Sequence, residues 1–450
     1  MSRKINRREF LKGTAMAGAG FWAARRTVWA EMKSPNEKLN IAGIGVGGRG
    51  AGDIDGVSSE NIVALCDVDM SRAGGTFRKF PKARRYQDFR KMLEEEAKNI
   101  DAVVVATADH THAPASVMAM KLGKHVYCEK PLTHSVYEAR VMKETAIKHK
   151  VATQMGNQGT ADGGLRRAVE VLHSGALGPV REAHVWTNRP IWPQGTDAIL
   201  EHIGVKNALH GGGTGPEPPR SLDWDLWLGP APWRPFDPCY LPFKWRGWWD
   251  FGTGSLGDMA CHTMNMPFWG LKLTAPTSVE AEVSELNAET APIWSIIRYE
   301  FPARGDLPPV KFTWYDKNKK PPAELFEGES VSSSGSLIIG EKGKLYSPGD
   351  TGDEYRLLPK SKFEGFQGPD KSIPRSPGHH KEWIIACKGG PPAMSNFNYA
   401  GPLTETVVLG NVAMRLPGKK LEWDAANVKV TNVKEANQYV RREYRKGWRL

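Results

Sequence analysis

The sequence predicts an α/β protein, with a parallel sheet covered by helices on both faces over residues 36–156 and a second, strand-rich half over residues 157–450. Three observations carry this. Short apolar runs such as Asp101–Ala106 alternate with longer helical stretches, the pattern of strands buried on both faces. The first run leads straight into the glycine-rich turn Gly45-Val46-Gly47-Gly48-Arg49-Gly50. Beyond Arg181 the pattern becomes strand-rich, with Arg181–Thr187, Thr277–Glu285, Ile293–Phe301 and Val310–Tyr315.

Residues 1–30 read as an address rather than as part of the fold. Asn6-Arg7-Arg8-Glu9-Phe10-Leu11-Lys12 precedes the apolar stretch Gly13–Ala24, and Val28-Trp29-Ala30 ends on a small residue. That order resembles a twin-arginine export signal, which implies a periplasmic protein exported already folded. The apolar stretch is shorter than the ~20 residues a membrane-spanning helix needs.

The next 120 residues form the first half. Lys38–Ile44 is a buried strand, and the G-x-G-x-x-G that follows suits a dinucleotide. Its first glycine makes the tight turn, the second admits the pyrophosphate, and the third lets the next helix pack closely. Ile62–Cys66 is the second strand and ends at Asp67, 17 residues beyond Gly50, where a carboxylate binds the ribose hydroxyls of NAD. Arg72 nearby keeps NADP open. Asp101–Ala106, His125–Cys128 and Val151–Met155 are further strands; Ala113–Leu122 and Val136–His149 are helices. This is the pattern of a Rossmann domain. Ligands in such sheets lie beyond the strand C-termini. The rim therefore collects the glycine turn, Asp67, Thr107–His112, Glu129-Lys130-Pro131 and Asn157-Gln158.

Two further patterns suggest chemistry. Lys130 follows a strand directly and is fixed by Pro131, so it can hydrogen-bond a substrate hydroxyl. Asp258 and His262 are four apart on an expected helix and share a face, where a carboxylate can orient an imidazole. Taken alone, each is equally a surface lysine or a helix-surface pair.

The glycine turn, Glu129-Lys130-Pro131 and the run Arg246-Gly247-Trp248-Trp249-Asp250-Phe251-Gly252 leading to Asp258 and His262 resemble the Gfo/Idh/MocA oxidoreductases, over residues 38–450. The resemblance implies a C-terminal α/β domain with a large open, mostly antiparallel sheet that pairs subunits. It implies Lys130, Asp258 and His262 as a catalytic triad. His262 removes the hydroxyl proton as hydride leaves carbon, Asp258 orients it, and Lys130 lowers the hydroxyl pKa. His112 matches a family histidine near the cofactor, and Asp109, Glu129, Lys130 and Asn157 join it as cofactor contacts. Asn265 stands where relatives often have aspartate, which bears on substrate contact.

Nine of the 16 tryptophans fall between Trp186 and Trp269, and aromatic faces stack on sugar rings. Trp186, Trp192, Arg246, Trp248, Trp249 and Asn265 are therefore the expected substrate wall. The reading is an NAD(P)-dependent oxidoreductase of a sugar, polyol or glycoside hydroxyl with a tightly held cofactor. Its alternatives are a redox-neutral NAD-dependent glycosidase and a non-enzymatic sugar or dinucleotide binder.

Composition narrows the rest. Of the +11 net charge, +6 sits in residues 1–30, where seven basic residues face Glu9, and this leaves +5 elsewhere. The Arg441–Arg449 run reads as a solvated helix face, so no nucleic-acid partner is expected. Five scattered cysteines without C-x-x-C spacing argue against a disulfide framework or zinc ribbon. His379-His380 has no third ligand at metal spacing and reads as a solvent or substrate loop; no metal is expected.

Overall fold

The computed structural model describes residues 37–196 and 215–450. The expected signal segment, residues 1–30, lies outside the described residues. The first half is a six-stranded sheet of order β3-β2-β1-β4-β5-β6, every pairing parallel. Its strands are β1 Asn40–Ile44, β2 Asn61–Cys66, β3 Arg84–Tyr86, β4 Ala102–Val105, β5 His125–Cys128 and β6 Thr153–Met155. Five were legible as apolar runs. The Arg-Arg-Tyr strand β3 was not, because it is an edge strand with its arginines exposed.

The helices between them are α1 Arg49–Gly56, α2 Gly74–Lys79, α3 Phe89–Glu95, α4 Asp109–Lys121 and α5 Val136–His149. Helix α5 starts where the sequence places it because Ser135 and Glu138 form a reciprocal capping box. The β1–α1 turn tolerates only glycine at two points. Gly45 has φ +77°, and a Cβ on Gly50 would lie 1.8 Å from the Gly45 carbonyl oxygen.

The second half holds a nine-stranded sheet of order β13-β12-β11-β7-β10-β9-β8-β14-β15. Its core strands are β7 Val180–Trp186, β8 Ser278–Val283, β9 Ser295–Phe301 and β10 Val310–Tyr315. Then come β11 Gly335–Gly340, β12 Lys344–Pro348, β13 Arg356–Leu358, β14 Leu421–Asp424 and β15 Lys429–Val430. All pairings are antiparallel except β7 with β10. In β9, Ile297, Tyr299 and Phe301 face the core while Arg298 and Glu300 face out. The helices here are α6 Gly163–His173, α7 Trp224–Leu228, α8 Gly254–Thr263, α9 Asn265–Gly270, α10 His379–Cys387 and α11 Phe397–Met414. No helix among the described residues is long and apolar enough to cross a membrane.

Residues 157–450 also complete the first half, since Trp383, Ile384 and Cys387 of α10 pack into its core with Ile41, Ala102 and Tyr127. Two expectations need correction. His379-His380 is not an open loop but begins α10. His379 is buried on the Met155 carbonyl, and His380 stacks on Tyr127 and meets Asp53. The Arg441–Arg449 run is not a helix face either; it is irregular and docked, with Arg442 on Glu138 and Arg445 on Asp225.

Candidate active site

The strand C-termini of the first sheet open into a cleft that residues 222–246 of the second half cover. The covering segment is pinned by its backbone to the loop after β2. Asp223 N–H donates to the Val68 carbonyl at 2.9 Å, and Met70 N–H donates to the Ser221 carbonyl at 2.9 Å. Gly45, Gly47, Arg49 and Asp67 line this cleft, and Val46, Gly48 and Gly50 complete the turn.

Asp67 is held where the sequence places it. Its Oδ2 accepts the N–H groups of Val46 and Gly47, both at 2.9 Å, and its Oδ1 accepts Asp69 N–H at 3.0 Å. Burial raises its pKa, and those three N–H bonds oppose the rise. Arg72 lies across the turn, so a Cβ on Gly48 would fall 2.5 Å from its guanidinium. Arg49 ties the turn to the loop after β5 through Glu129 at 3.0 Å, and Gln158 donates to the same oxygen at 2.8 Å. A tight turn, a carboxylate lining the cleft at the end of β2 and walls of apolar and cationic side chains fit a dinucleotide.

Arg246 lines this cleft and links it to Asp258 and Lys130. Its Nε donates to Asp258 Oδ1 at 3.0 Å, while Lys130 Nζ meets the same oxygen at 3.1 Å and the Asp258 carbonyl at 2.6 Å. Burial opposes ionisation of Asp258, yet Lys130 and Arg246 together hold it at about 2. His262 follows one turn later on α8. Burial, then the charge of Lys130, outweigh the pull of Asp258 and hold the imidazole at about 3, so it is neutral at neutral pH. Neither ring nitrogen has a hydrogen-bond partner among the described residues, and Nδ1 is buried. The expectation that Asp258 orients His262 is therefore corrected. Two cations bind the carboxylate more strongly than a neutral imidazole does.

Other expected residues support the site from behind. Asp109 does not face the cleft, because its carboxylate accepts the N–H and hydroxyl of Thr253 at 3.1 and 2.6 Å at the start of α8. His112 is buried, its Nδ1 donating to the Pro131 carbonyl at 2.8 Å and its Nε2 to the Thr107 carbonyl at 3.0 Å. Burial disfavours its charge, but Cys128, Asp109 and the Pro131 carbonyl raise it to about 10, so it is an imidazolium clamp between two rim loops. Asn157 is buried, bonded to the Cys261 carbonyl and Ser395. Asn265 is likewise taken up by Thr160 and Tyr399, which removes it from the expected substrate wall.

The tryptophan wall is also corrected. Trp186 is fully buried in the second sheet, its indole on the Ser332 carbonyl and its ring against Phe326 and Tyr346. Trp248 is buried against Tyr240, and Trp249 is nearly buried beneath Arg415. Trp192 is buried and bonded to Gln194 beside Arg246. The aromatic residues that line the cleft are Phe89, Trp227, Phe243, Trp245 and Trp448. Trp227 and Trp245 belonged to the same cluster in sequence, but which tryptophans reach a cavity is decided by long-range closure.

Comparison with known proteins places the chain. An oxidoreductase family with an NAD-binding Rossmann fold matches residues 13–157, and the C-terminal alpha/beta domain of the same family matches residues 214–450. The inositol 2-dehydrogenase of Salmonella typhimurium is 29% identical over 154 residues, 33% of this chain and 44% of that protein. The chain thus spans about half or less of the length of such curated relatives. A dehydrogenase structure, WlbA from Bordetella pertussis in complex with NADH and UDP-GlcNAcA, has a TM-score of 0.58 at 16% identity, covering 86% of this chain and 99% of that one. An inositol dehydrogenase homolog from Azotobacter vinelandii, complexed with NADH and myo-inositol, has a TM-score of 0.55 at 15% identity, with 88% and 100% covered. At these identities the structures share the fold.

Proposed function

The chain belongs to the Gfo/Idh/MocA oxidoreductase family, with its NAD-binding Rossmann domain, and from that premise we propose that it oxidises a secondary hydroxyl of a sugar or polyol. The observation that carries this reading is the convergence of Lys130, Asp258 and Arg246 beside a neutral, unpartnered His262 at the rim of the dinucleotide cleft. Bound nicotinamide supplies the hydride acceptor. The chain supplies the rest. Lys130 donates a hydrogen bond to the substrate oxygen and favours its anionic form. His262 takes the hydroxyl proton, which a neutral imidazole can accept. Asp258 is a positioning residue that holds Lys130 and Arg246 in place.

A cyclic polyol is the substrate class that the names of the curated relatives favour. The cofactor is retained between turnovers, residues 1–30 direct export to the periplasm, and subunits pair through the nine-stranded sheet. The experiment is purification of the full chain without added nucleotide, followed by denaturation and mass spectrometry of what is released. The expected result is NAD or NADH near one per chain. Lys130→Ala and His262→Ala should keep the nucleotide and lose the single-turnover rise at 340 nm that polyol produces as the bound NAD takes the hydride. A wild-type chain that neither carries nor binds a dinucleotide would overturn the proposal.

A further inference from the structure

We propose that residues 441–450 build the adenine end of the dinucleotide site, with Trp448 as the aromatic face on which the base lies. The inference rests on the dehydrogenase reading above. Trp448 is far in sequence from the first half, yet it lines the same cleft as Asp67, Gln87 and Phe89. Its ring is 5.8 Å from that of Phe89, and the Arg90 guanidinium lies over it at 4.3 Å. Asp88 fixes that guanidinium through both carboxylate oxygens, so the indole is backed by an ordered cation. A base stacked on such a ring gains sequence-independent affinity.

The segment carrying Trp448 is tied down on both sides of the cleft. Arg442 donates to the His110 carbonyl at 2.7 Å and to Glu138 at 3.1 Å, anchoring it to α4 and α5. Arg445 donates to the Gly229 carbonyl at 3.1 Å and the Asp225 carbonyl at 2.8 Å, anchoring it to the covering segment. Lys121, at the end of α4, reaches the Leu450 carbonyl at 3.1 Å. The covering segment is itself bonded to Val68 and Met70, next to Asp67. A nucleotide seated on Asp67 is therefore walled by two segments bonded to each other. Loosening the 441–450 segment should therefore ease its departure.

The test compares full-length wild type with Trp448→Ala and Trp448→Phe, titrating AMP, nicotinamide mononucleotide and NAD separately into chains freed of bound nucleotide and timing NAD release from loaded chains into excess competitor. Loss of one base-stacking face should weaken AMP and NAD by roughly 5- to 100-fold and speed release by a similar factor. Affinity for nicotinamide mononucleotide should not change, and Trp448→Phe should return AMP to within a few-fold of wild type. Arg445→Met should speed NAD release with Trp448 intact. If Trp448→Ala does not fold, Trp448→Leu keeps apolar bulk without the ring and should show the same selective loss. AMP binding within twofold of wild type in a folded alanine or leucine variant would overturn the assignment while leaving the dehydrogenase reading intact. A wild-type chain that binds none of the three nucleotides would overturn both.

Discussion

Removing either partner of the Lys130–Asp258 pair should cut turnover by orders of magnitude, but the two losses should differ sharply in stability. Asp258 sits between two cations, Lys130 at 3.1 Å and Arg246 at 3.0 Å, with side-chain exposures of 14%, 15% and 22% for Lys130, Asp258 and Arg246. In Lys130→Met, Arg246 still neutralises Asp258. The cost is then one exchanged hydrogen-bonded contact, about 1–2 kcal/mol. In Asp258→Asn, two mostly buried cations face one another without a counterion, which costs about 3–5 kcal/mol. A second route gives a somewhat smaller size, because burial offsets part of the attraction to the two cations. Holding the carboxyl at about 2 rather than its ordinary 3.8 is worth about 2.5 kcal/mol at neutral pH. The folded-state pKa is depressed, so this stability is fully present above the unfolded value and is lost as pH falls from near 4 through about 2. The gap between wild type and Asp258→Asn should thus stay constant from pH 8 to pH 5. Urea unfolding at several pH values measures it, and a 340 nm assay checks that both variants lose on the order of 10²- to 10⁴-fold in turnover. Equal destabilisation by the two substitutions, or a gap that shrinks already between pH 8 and pH 5, would refute the shared-counterion account.

Three further outcomes follow from the same geometry. Because burial and Lys130 keep His262 neutral down to about pH 3, its imidazole NMR signals should not titrate between pH 5 and pH 8 in the nucleotide-free chain, and a midpoint near 6.5 would contradict that burial. Asp67→Asn keeps an acceptor for the Val46 and Gly47 N–H groups but removes the charge that repels a 2′-phosphate beside Arg72. The ratio of NADP to NAD affinity should rise roughly tenfold by titration, about 1.4 kcal/mol. His112 has a raised folded-state pKa of about 10, so its stabilisation is complete below about 6.5 and is lost as pH climbs toward 10. The stability difference between wild type and His112→Gln should narrow over that interval, and a constant difference would show that the ring is neutral.

The first sheet was legible because buried parallel strands leave an unbroken apolar signature; β4, Ala-Val-Val-Val, is buried at every position. The glycine turn was legible because sterics at Gly50 admit no other residue. The site was legible in its membership but not in its wiring. Spacing puts Asp258 and His262 on one helix face, yet it cannot reveal that Lys130 and Arg246, 128 and 12 residues away, take the carboxylate first. The aromatic wall failed for a similar reason. Trp186 and Trp227 look alike in a string of letters, and only the pairing of β7 inside the second sheet decides that one is core. His379-His380 read as open because the partners that enclose it, Met155, Asp53 and Tyr127, lie more than 200 residues upstream.

Those long-range partners share a consequence. Helix α10 completes the first half's core, Arg140 of α5 donates to Glu405 of α11, and the 441–450 segment reaches α4 and α5. The dinucleotide cleft is therefore assembled only after nearly the whole chain has been made, and its walls cannot form from residues 37–156 alone. All five cysteines are buried and free, so nothing covalent holds these returning segments in place. Cohesion must come from packing and buried polar contacts, and from whatever binds in the cleft they close. A ligand that touches both the glycine turn and the returning segments is coupled to global folding, and its retention and the protein's stability should rise together. That coupling fits the proposal of export in an already folded state, because a cofactor enclosed during folding would travel with the chain. It also sets the order of events to look for. Nucleotide should raise the unfolding midpoint of wild type more than that of Trp448→Ala at equal free concentration, in proportion to the affinity each retains. An identical increase in both would mean that the segment closes over the cleft without contributing to what is held there.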